Sequence, residues 1–247
     1  MKKIVASICA VFFLTAWSIP DAHRFGNDTA VVIGTWCSGT VIRRDIVVTA
    51  EHCVESLLEN RTRWVLKDNG FNVLEKYQGY KSVKITNNKF TAEGELFSTS
   101  SYTGTVLGVD KANDVAIIQM DISQNPNAFP AAAKISQKKL SYGDVVYAVG
   151  NPLMITFVVT EGRVIHPQAY VKQLGERKFI MFDALIDKGS SGGALYNDNG
   201  ELVGITNMIG PSGEGLAAPV DHVTALLKTL KIKDQPMIVA KTDRLKQ

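Results

Sequence analysis

From Val31 onward the chain is a succession of short segments rich in Val, Ile, Thr and Phe, cut apart by turn residues. They run Cys37 to Ile42, Ile46 to Ala50, Ser82 to Thr86, Thr105 to Val109, Val115 to Met120, Val145 to Val149, Phe157 to Ile165, Phe179 to Asp183 and Leu202 to Ile205. Where they are densest they recur every ~8–12 residues, which predicts an all-β barrel or sandwich. Helix is scarce. One short turn is expected after Ala50, through Cys53 to Leu58, and one helix over Asp221 to Leu230. There Asp221 is placed as the N-cap and Val223, Leu226, Leu227 and Leu230 share a face. This helix reads as a lid over a barrel end. The stretch Ser123 to Ala133 carries Asn125-Pro126-Asn127 and Phe129-Pro130 and reads as a linker. It divides the chain into β units over residues 24–130 and 131–232, ahead of a polar tail, 233–247.

The balance of 45% hydrophobic and 21% charged residues, with 8 prolines and 20 glycines in 247, excludes collagen, low-complexity disorder and a polytopic membrane protein. Lys2 and Lys3 precede an apolar run from Ile4 to Trp17, shorter than the ~20 residues a spanning helix takes, so residues 1–18 read as a secretory signal peptide. Cleavage is expected after Ser18, with Ala22 as the second site and an uncleaved anchor as the alternative. The net charge of +3 comes from 27 basic and 24 acidic residues. Loss of the two leader lysines leaves +1, which argues for no nucleic-acid partner. Cys9 would depart with the leader, and the residues before it do not form a lipobox. Cys37 and Cys53 remain as an even pair in an oxidising compartment. A single disulfide between them is expected, worth roughly 3 kcal/mol.

Two segments carry chemically loaded side chains among turn residues. Val47 to Cys53 is a strand that ends in His52, and Lys188 to Leu195 is a serine pair bracketed by glycines. Glycine on both sides lets the backbone adopt positive φ and turn N–H groups inward, as an anion pocket requires. A serine hydroxyl is a weak nucleophile near neutral pH and needs a base, usually histidine oriented by a carboxylate. His52 is the best base and Asp114, at the head of the apolar run Val115 to Ile118, the best orienter. His23, His166 and His222 are isolated and lack metal-ligand spacing, so no metal or other cofactor is expected.

The segments T-W-C-S-G-T-V-I (Thr35 to Ile42), V-V-T-A-E-H-C-V (Val47 to Val54), N-D-V-A-I-I (Asn113 to Ile118) and G-S-S-G-G-A-L (Gly189 to Leu195) resemble those of the trypsin-like serine peptidases. Gly150-Asn151-Pro152, Val159 to Val164, Gly200 to Ile205 and Gly215 to Pro219 make the chain most similar to the bacterial Deg/HtrA-type members. The resemblance covers roughly residues 30 to 230. It implies two six-stranded antiparallel β-barrels with a site between them: Ser191 as nucleophile, His52 as general base and acid, Asp114 as orienting carboxylate, and the N–H groups of Gly189 and Ser191 as oxyanion hole. It also maps the substrate pocket onto Leu185, Thr206, Asn207, Met208, Leu216 and Ala217. Leu185 offers no charge for a basic side chain, so cleavage is expected after small or medium apolar residues.

Three features depart from the pattern. Glu51 stands where a small residue usually precedes the histidine. The segment from about 60 to 104 leaves room for extra strands. No chain follows Gln247 to supply the PDZ domain that many of the group carry, so a peptide-sensing cage is not expected. The expected function is a secreted or periplasmic serine endopeptidase acting on protein or peptide substrates, with no stable membrane insertion after signal cleavage and no oligomeric state assigned. The alternatives are a catalytically silent binding protein on the same fold and an esterase using the same triad.

Overall fold

The computed structural model describes residues 19–68, 70–91, 93–126, 129, 131–152, 157–174 and 177–232. The predicted signal peptide (1–18) and polar tail (233–247) lie outside the described residues. Helix α1 (Ile19–Thr29) leads into β1 (Ala30–Ile33), β2 (Cys37–Arg43) and β3 (Ile46–Thr49). Two short 3-10 turns precede β4 (Leu58–Leu66), β5 (Asn72–Tyr80), β6 (Val83–Phe90), β7 (Leu96–Asp110) and β8 (Val115–Met120). The second half holds β9 (Val145–Gly150), β10 (Val158–Tyr170), β11 (Lys178–Phe182), β12 (Ala194–Asn197), β13 (Leu202–Ile209), β14 (Gly215–Pro219) and α2 (Val220–Thr229). Strands β1-β2-β3-β8-β7-β6 close one six-stranded barrel and β10-β11-β14-β13-β12-β9 another, every ladder being antiparallel. This is the architecture that the resemblance implied.

The strands at the seam explain why the sequence shows apolar runs rather than clean alternation. Along β3, Val47 points into the first barrel while Ile46 and Val48 point out of it; along β8, Ala116 and Ile118 point in while Val115 and Ile117 point out. In the second barrel Val146, Ala148 and Leu195 point in, and Tyr147, Val149, Ala194 and Tyr196 point out. The outward sets meet in one cluster between the barrels, so β3, β8 and β12 are buried on both faces. Each valine or isoleucine among them contributes about 1.5–3 kcal/mol through burial. The two barrels are thus held together by a third core.

Three features differ from the sequence expectation. Helix α1 was not anticipated, because its eleven residues include few apolar side chains and a glycine, Gly26, which is a poor helix former; its fit depends on small residues. Ala22 is fully buried, and a Cβ at Gly26 would come within 2.5–2.7 Å of Phe157 and Val149. Helix α2 begins one residue earlier than expected, with Pro219 at the N-cap and Asp221 inside the first turn, and its Val223, Leu226 and Leu227 enter the cluster between the barrels instead of covering a barrel end. Strands β4 and β5 form a separate two-stranded ribbon, the extra strands for which the 60–104 segment left room, whereas β6 and β7 run longer than the apolar runs that marked them. Their polar residues are paired by the ladder, which periodicity of apolar residues does not report.

Cys37, at the start of β2, is bonded to Cys53 in the turn after β3, with Cα atoms 5.9 Å apart. The bridge ties the turn that carries His52 to the neighbouring strand. Closing a loop of this length, 16 residues of separation, constrains the unfolded chain by about 3 kcal/mol. Urea unfolding of the Cys37→Ala/Cys53→Ala variant should therefore give a stability lower by about that amount, and one that no longer changes when reductant is added.

Candidate active site

His52 sits in the 3-10 turn Glu51–Cys53 that follows β3, and Asp114 immediately precedes β8, the strand paired with β3. Asp114 has φ of +56°, a left-handed conformation that aspartate tolerates better than most residues. It heads a strand buried on both faces, and its own side chain is buried. The carboxylate accepts the His52 backbone N–H at 2.9 Å and faces His52 Nδ1 at 2.9 and 3.1 Å. An ionised carboxylate only accepts, so Nδ1 carries the proton and Nε2 is left as the basic nitrogen.

A fourth residue completes this arrangement. Asn207, on β13, donates its amide to both Asp114 Oδ2 and the Asp114 carbonyl at 2.9 Å, while its Oδ1 accepts from Ala218 N–H at 2.6 Å. Sequence reading placed Asn207 in the substrate pocket; the structure places its side chain on Asp114. The signal was present only as a polar residue inside an apolar strand. Burial works against the charge of Asp114, but the hydrogen bonds and charge of His52, with the Asn207 amide, hold its pKa below the ordinary carboxylate value. The Asp114 hydrogen bond in turn lifts His52 above its ordinary 6.5 against the effect of burial; the charges of Asp114 and Glu51 add to the rise, and Arg177 opposes it.

The Gly189–Gly193 loop crosses the seam onto β2 and β3. Ser38 N–H donates to the Ser191 carbonyl at 2.8 Å, Ser38 Oγ donates to the Gly189 carbonyl at 2.7 Å, and Asn151 N–H donates to Ser38 Oγ at 2.8 Å. Gly192, with φ of +86°, lies so close that a Cβ there would stand 2.1 Å from Ser38 O and Thr49 Oγ1. Gly189 also has positive φ, +98°. Among the described residues, the N–H groups of Gly189 and Ser191 have no hydrogen-bond partner. Ser191 Oγ donates to the carbonyl of Asn207 at 2.7 Å, and no hydrogen bond joins it to His52.

His52, Asp114, Ser191, Thr206, Asn207 and Met208 all border one cleft of about 520 Å³ between the barrels. Leu185 does not; it is 81% exposed and stands at a smaller crevice beside Thr160 and Ile186. Leu216 and Ala217 are fully buried among Val171 and Phe179, and among Ile180 and Phe182. Thr206 Oγ1 is buried without a hydrogen-bond partner among the described residues. Glu51 also borders the cleft. Its buried Oε1 lies 3.6 Å from Lys111 Nζ, and burial raises its pKa although Lys111 opposes the rise. The donor atoms of Cys37, His52 and Cys53 lie within 4.8 Å of one another. With both sulfurs in the disulfide, this group has no thiolate to offer a metal.

The model of the "Trypsin-like peptidase domain" family matches residues 37–205, which include His52, Asp114 and Ser191 and stop short of the cleft residues Thr206 to Ile209. This chain belongs to the trypsin-like peptidases. Curated relatives of this trypsin-like peptidase include Serine protease HTRA1A of Danio rerio, 31% identical over 185 residues that cover 73% of this chain and 38% of the relative. Periplasmic pH-dependent serine endoprotease DegQ of Escherichia coli is 33% identical over 161 residues, covering 61% of this chain and 35% of the relative. The chain thus spans about a third of the length of these relatives. The crystal structure of the serine endoprotease from Yersinia pestis has the same fold, with a TM-score of 0.60 at 23% identity over 89% of this chain and 68% of that one.

The Asn207 geometry has a measurable consequence. Replacing Asn207 with Ala removes a donor that fixes the Asp114 carboxylate opposite His52 Nδ1, loosens the hydrogen bond that lifts His52, and leaves Ala218 N–H unpaired. The His52 pKa, read from imidazole NMR shifts, should fall relative to wild type, and it should fall further in Asp114→Asn. Gly192→Ala should lower the unfolding temperature by several degrees, since neither contacting group can withdraw without breaking the Ser38–Thr49 bond.

Proposed function

We propose that this chain is a serine endopeptidase in which Ser191 is the nucleophile, His52 the general base and acid, and Asp114 the orienting carboxylate. The observation that carries the proposal is the buried Asp114 carboxylate on His52 Nδ1, with Ser191 bordering the same cleft. In this reaction the Ser191 hydroxyl leaves the Asn207 carbonyl and turns to His52 Nε2. The nitrogen takes its proton as Oγ attacks the scissile carbonyl carbon. The resulting oxyanion is held by the N–H groups of Gly189 and Ser191, which are free to donate. Collapse of the tetrahedral species passes the proton from His52 to the departing amine and leaves an acyl group on Ser191. Water, deprotonated by the same nitrogen, then releases the second product. No cofactor enters any of these steps.

Ile186, Met208 and Ile209 on the cleft wall favour small or medium apolar side chains before the cleaved bond. Export through the signal peptide fits the disulfide, which persists only in an oxidising compartment. Cleavage after Ser18 leaves α1 whole, whereas cleavage after Ala22 removes a buried residue of that helix. The relatives' names, periplasmic among them, agree with a secreted or periplasmic location. One observation favours the silent-binding alternative: Ser191 Oγ is bonded to Asn207 O and not to His52.

The test is hydrolysis of unfolded casein by the chain from residue 19 onward, with phosphonofluoridate labelling, beside Ser191→Ala. Wild type should cut and label, and the variant should lose on the order of a millionfold in kcat, the scale found in an unrelated serine protease. Labelling without cutting would indicate an esterase or a narrow substrate range, and neither event in a folded sample would indicate a latent enzyme or the silent protein. The pH profile adds a second expectation. His52 acts as base only when neutral, and its pKa is raised above 6.5, so kcat/KM should fall as pH drops through that raised value. In Glu51→Gln a carboxylate that favours the imidazolium is gone. The acid limb of the profile should therefore move to lower pH.

A further inference from the structure

The β4–β5 ribbon is a part of the molecule that neither barrel closure nor the cleft requires. Its nine register pairs make it about 30 Å long. Among the described residues β4 and β5 pair only with each other, so each has an open outer edge of backbone N–H and C=O groups. Its two faces differ. On one, Arg61 pairs with Glu59, Arg63 with Glu75, and the Arg63 guanidinium lies 5.3 Å from the Tyr77 ring. The other carries Trp64 opposite Leu74, with Leu66 beyond them. Trp64, Leu66 and Leu74 are 71%, 68% and 50% exposed, and Phe71 in the connecting turn is 70% exposed. An isolated two-stranded ribbon is marginal in water, and an open apolar edge invites another strand.

We propose that this ribbon is an exosite for the polypeptide substrate, which adds an extended segment to its open edge and lays apolar side chains on Trp64, Leu66 and Leu74. The inference rests on the peptidase reading above. Three observations select this occupant. The ribbon springs from the segment that carries His52: β4 starts six residues after His52, and Lys81 N–H, after β5, donates to the Leu57 carbonyl at 2.8 Å, which ties the ribbon's base beside the His52 turn. The ribbon carries Arg61, Arg63, Lys67 and Lys76 against Glu59, Asp68 and Glu75, a mixed surface with no anionic-lipid preference. Its open edges could not enter hydrocarbon without stranding backbone polar groups. A second copy is disfavoured because four apolar side chains by themselves fall short of the ~800 Å² per partner of a stable interface. An extended chain satisfies both the edge and the apolar face, as strand addition does elsewhere.

The experiment compares wild type with Trp64→Glu and Leu74→Lys, and uses two substrates: unfolded casein and a short peptide spanning one of the bonds cut in it. Both variants should lose about tenfold in kcat/KM on casein, through KM, and keep wild-type turnover of the short peptide. The short peptide also certifies that each variant is folded. In a Ser191→Ala background, fluorescence anisotropy of labelled casein should show about tenfold weaker binding for the same substitutions. Unchanged casein affinity and kinetics would overturn the exosite while leaving the peptidase intact. Loss of vesicle binding, or of a dimer in light scattering, without a change in casein binding would overturn it in favour of a lipid or a second copy. Casein bound through the ribbon but never cut by wild type would instead remove the peptidase reading and keep the site.

Discussion

Asp114 is a charge buried at the seam of two barrels, and the rest of the site depends on how that charge is satisfied. Its carboxylate is met by His52 from the turn after β3 and by Asn207 from β13 of the other barrel. A buried carboxylate without such partners would be neutral or destabilising. The barrels must therefore be docked before the charge is tolerable, and the charge then holds the imidazole in one tautomer and one orientation. Fold and site share a single set of contacts.

The docking has an apolar part and a polar part. Ile46, Val48, Val115 and Ile117 of the first barrel press on Tyr147, Val149, Tyr196 and Ile205 of the second, with α2 wedged beside them. This supplies non-directional attraction. Direction comes from Ser38, whose N–H and hydroxyl take up the carbonyls of Ser191 and Gly189 and whose Oγ accepts from Asn151. Those bonds take up two carbonyls of the serine loop, and Asp187, Thr206 and Ser190 take up the N–H groups of Ser190, Gly192 and Gly193, so that among the described residues only Gly189 and Ser191 of the loop keep unpaired N–H groups.

Tuning follows from the same neighbourhood. Glu51 beside His52 is a second carboxylate, buried and countered by Lys111. Its charge reinforces the imidazolium that Asp114 already favours. The positive group that works the other way, Arg177, comes from the segment before β11 in the second barrel. The basicity of one nitrogen is thus a balance between charges from different parts of the chain.

Much of this was legible in the residues. Apolar runs located the seam strands, glycines bracketing Ser190 and Ser191 marked a tight loop, and an even cysteine pair anticipated the bridge, because each is a local consequence of backbone geometry, burial or redox compartment. Helix α1 was hidden, since it carries few apolar side chains and a glycine, and its packing depends on Ala22 and Gly26 being small. The 60–104 segment left room for extra strands, but that two of them pair only with each other was hidden, since pairing is decided by a ladder and not by which residues are apolar. What only the tertiary structure decided is which groups meet across long separations: the Asn207 amide on Asp114, Ser38 on the serine loop, and Leu185 outside the cleft. Such meetings are set by the docking of two closed barrels, and sequence spacing carries no information about the direction in which a side chain points across that seam.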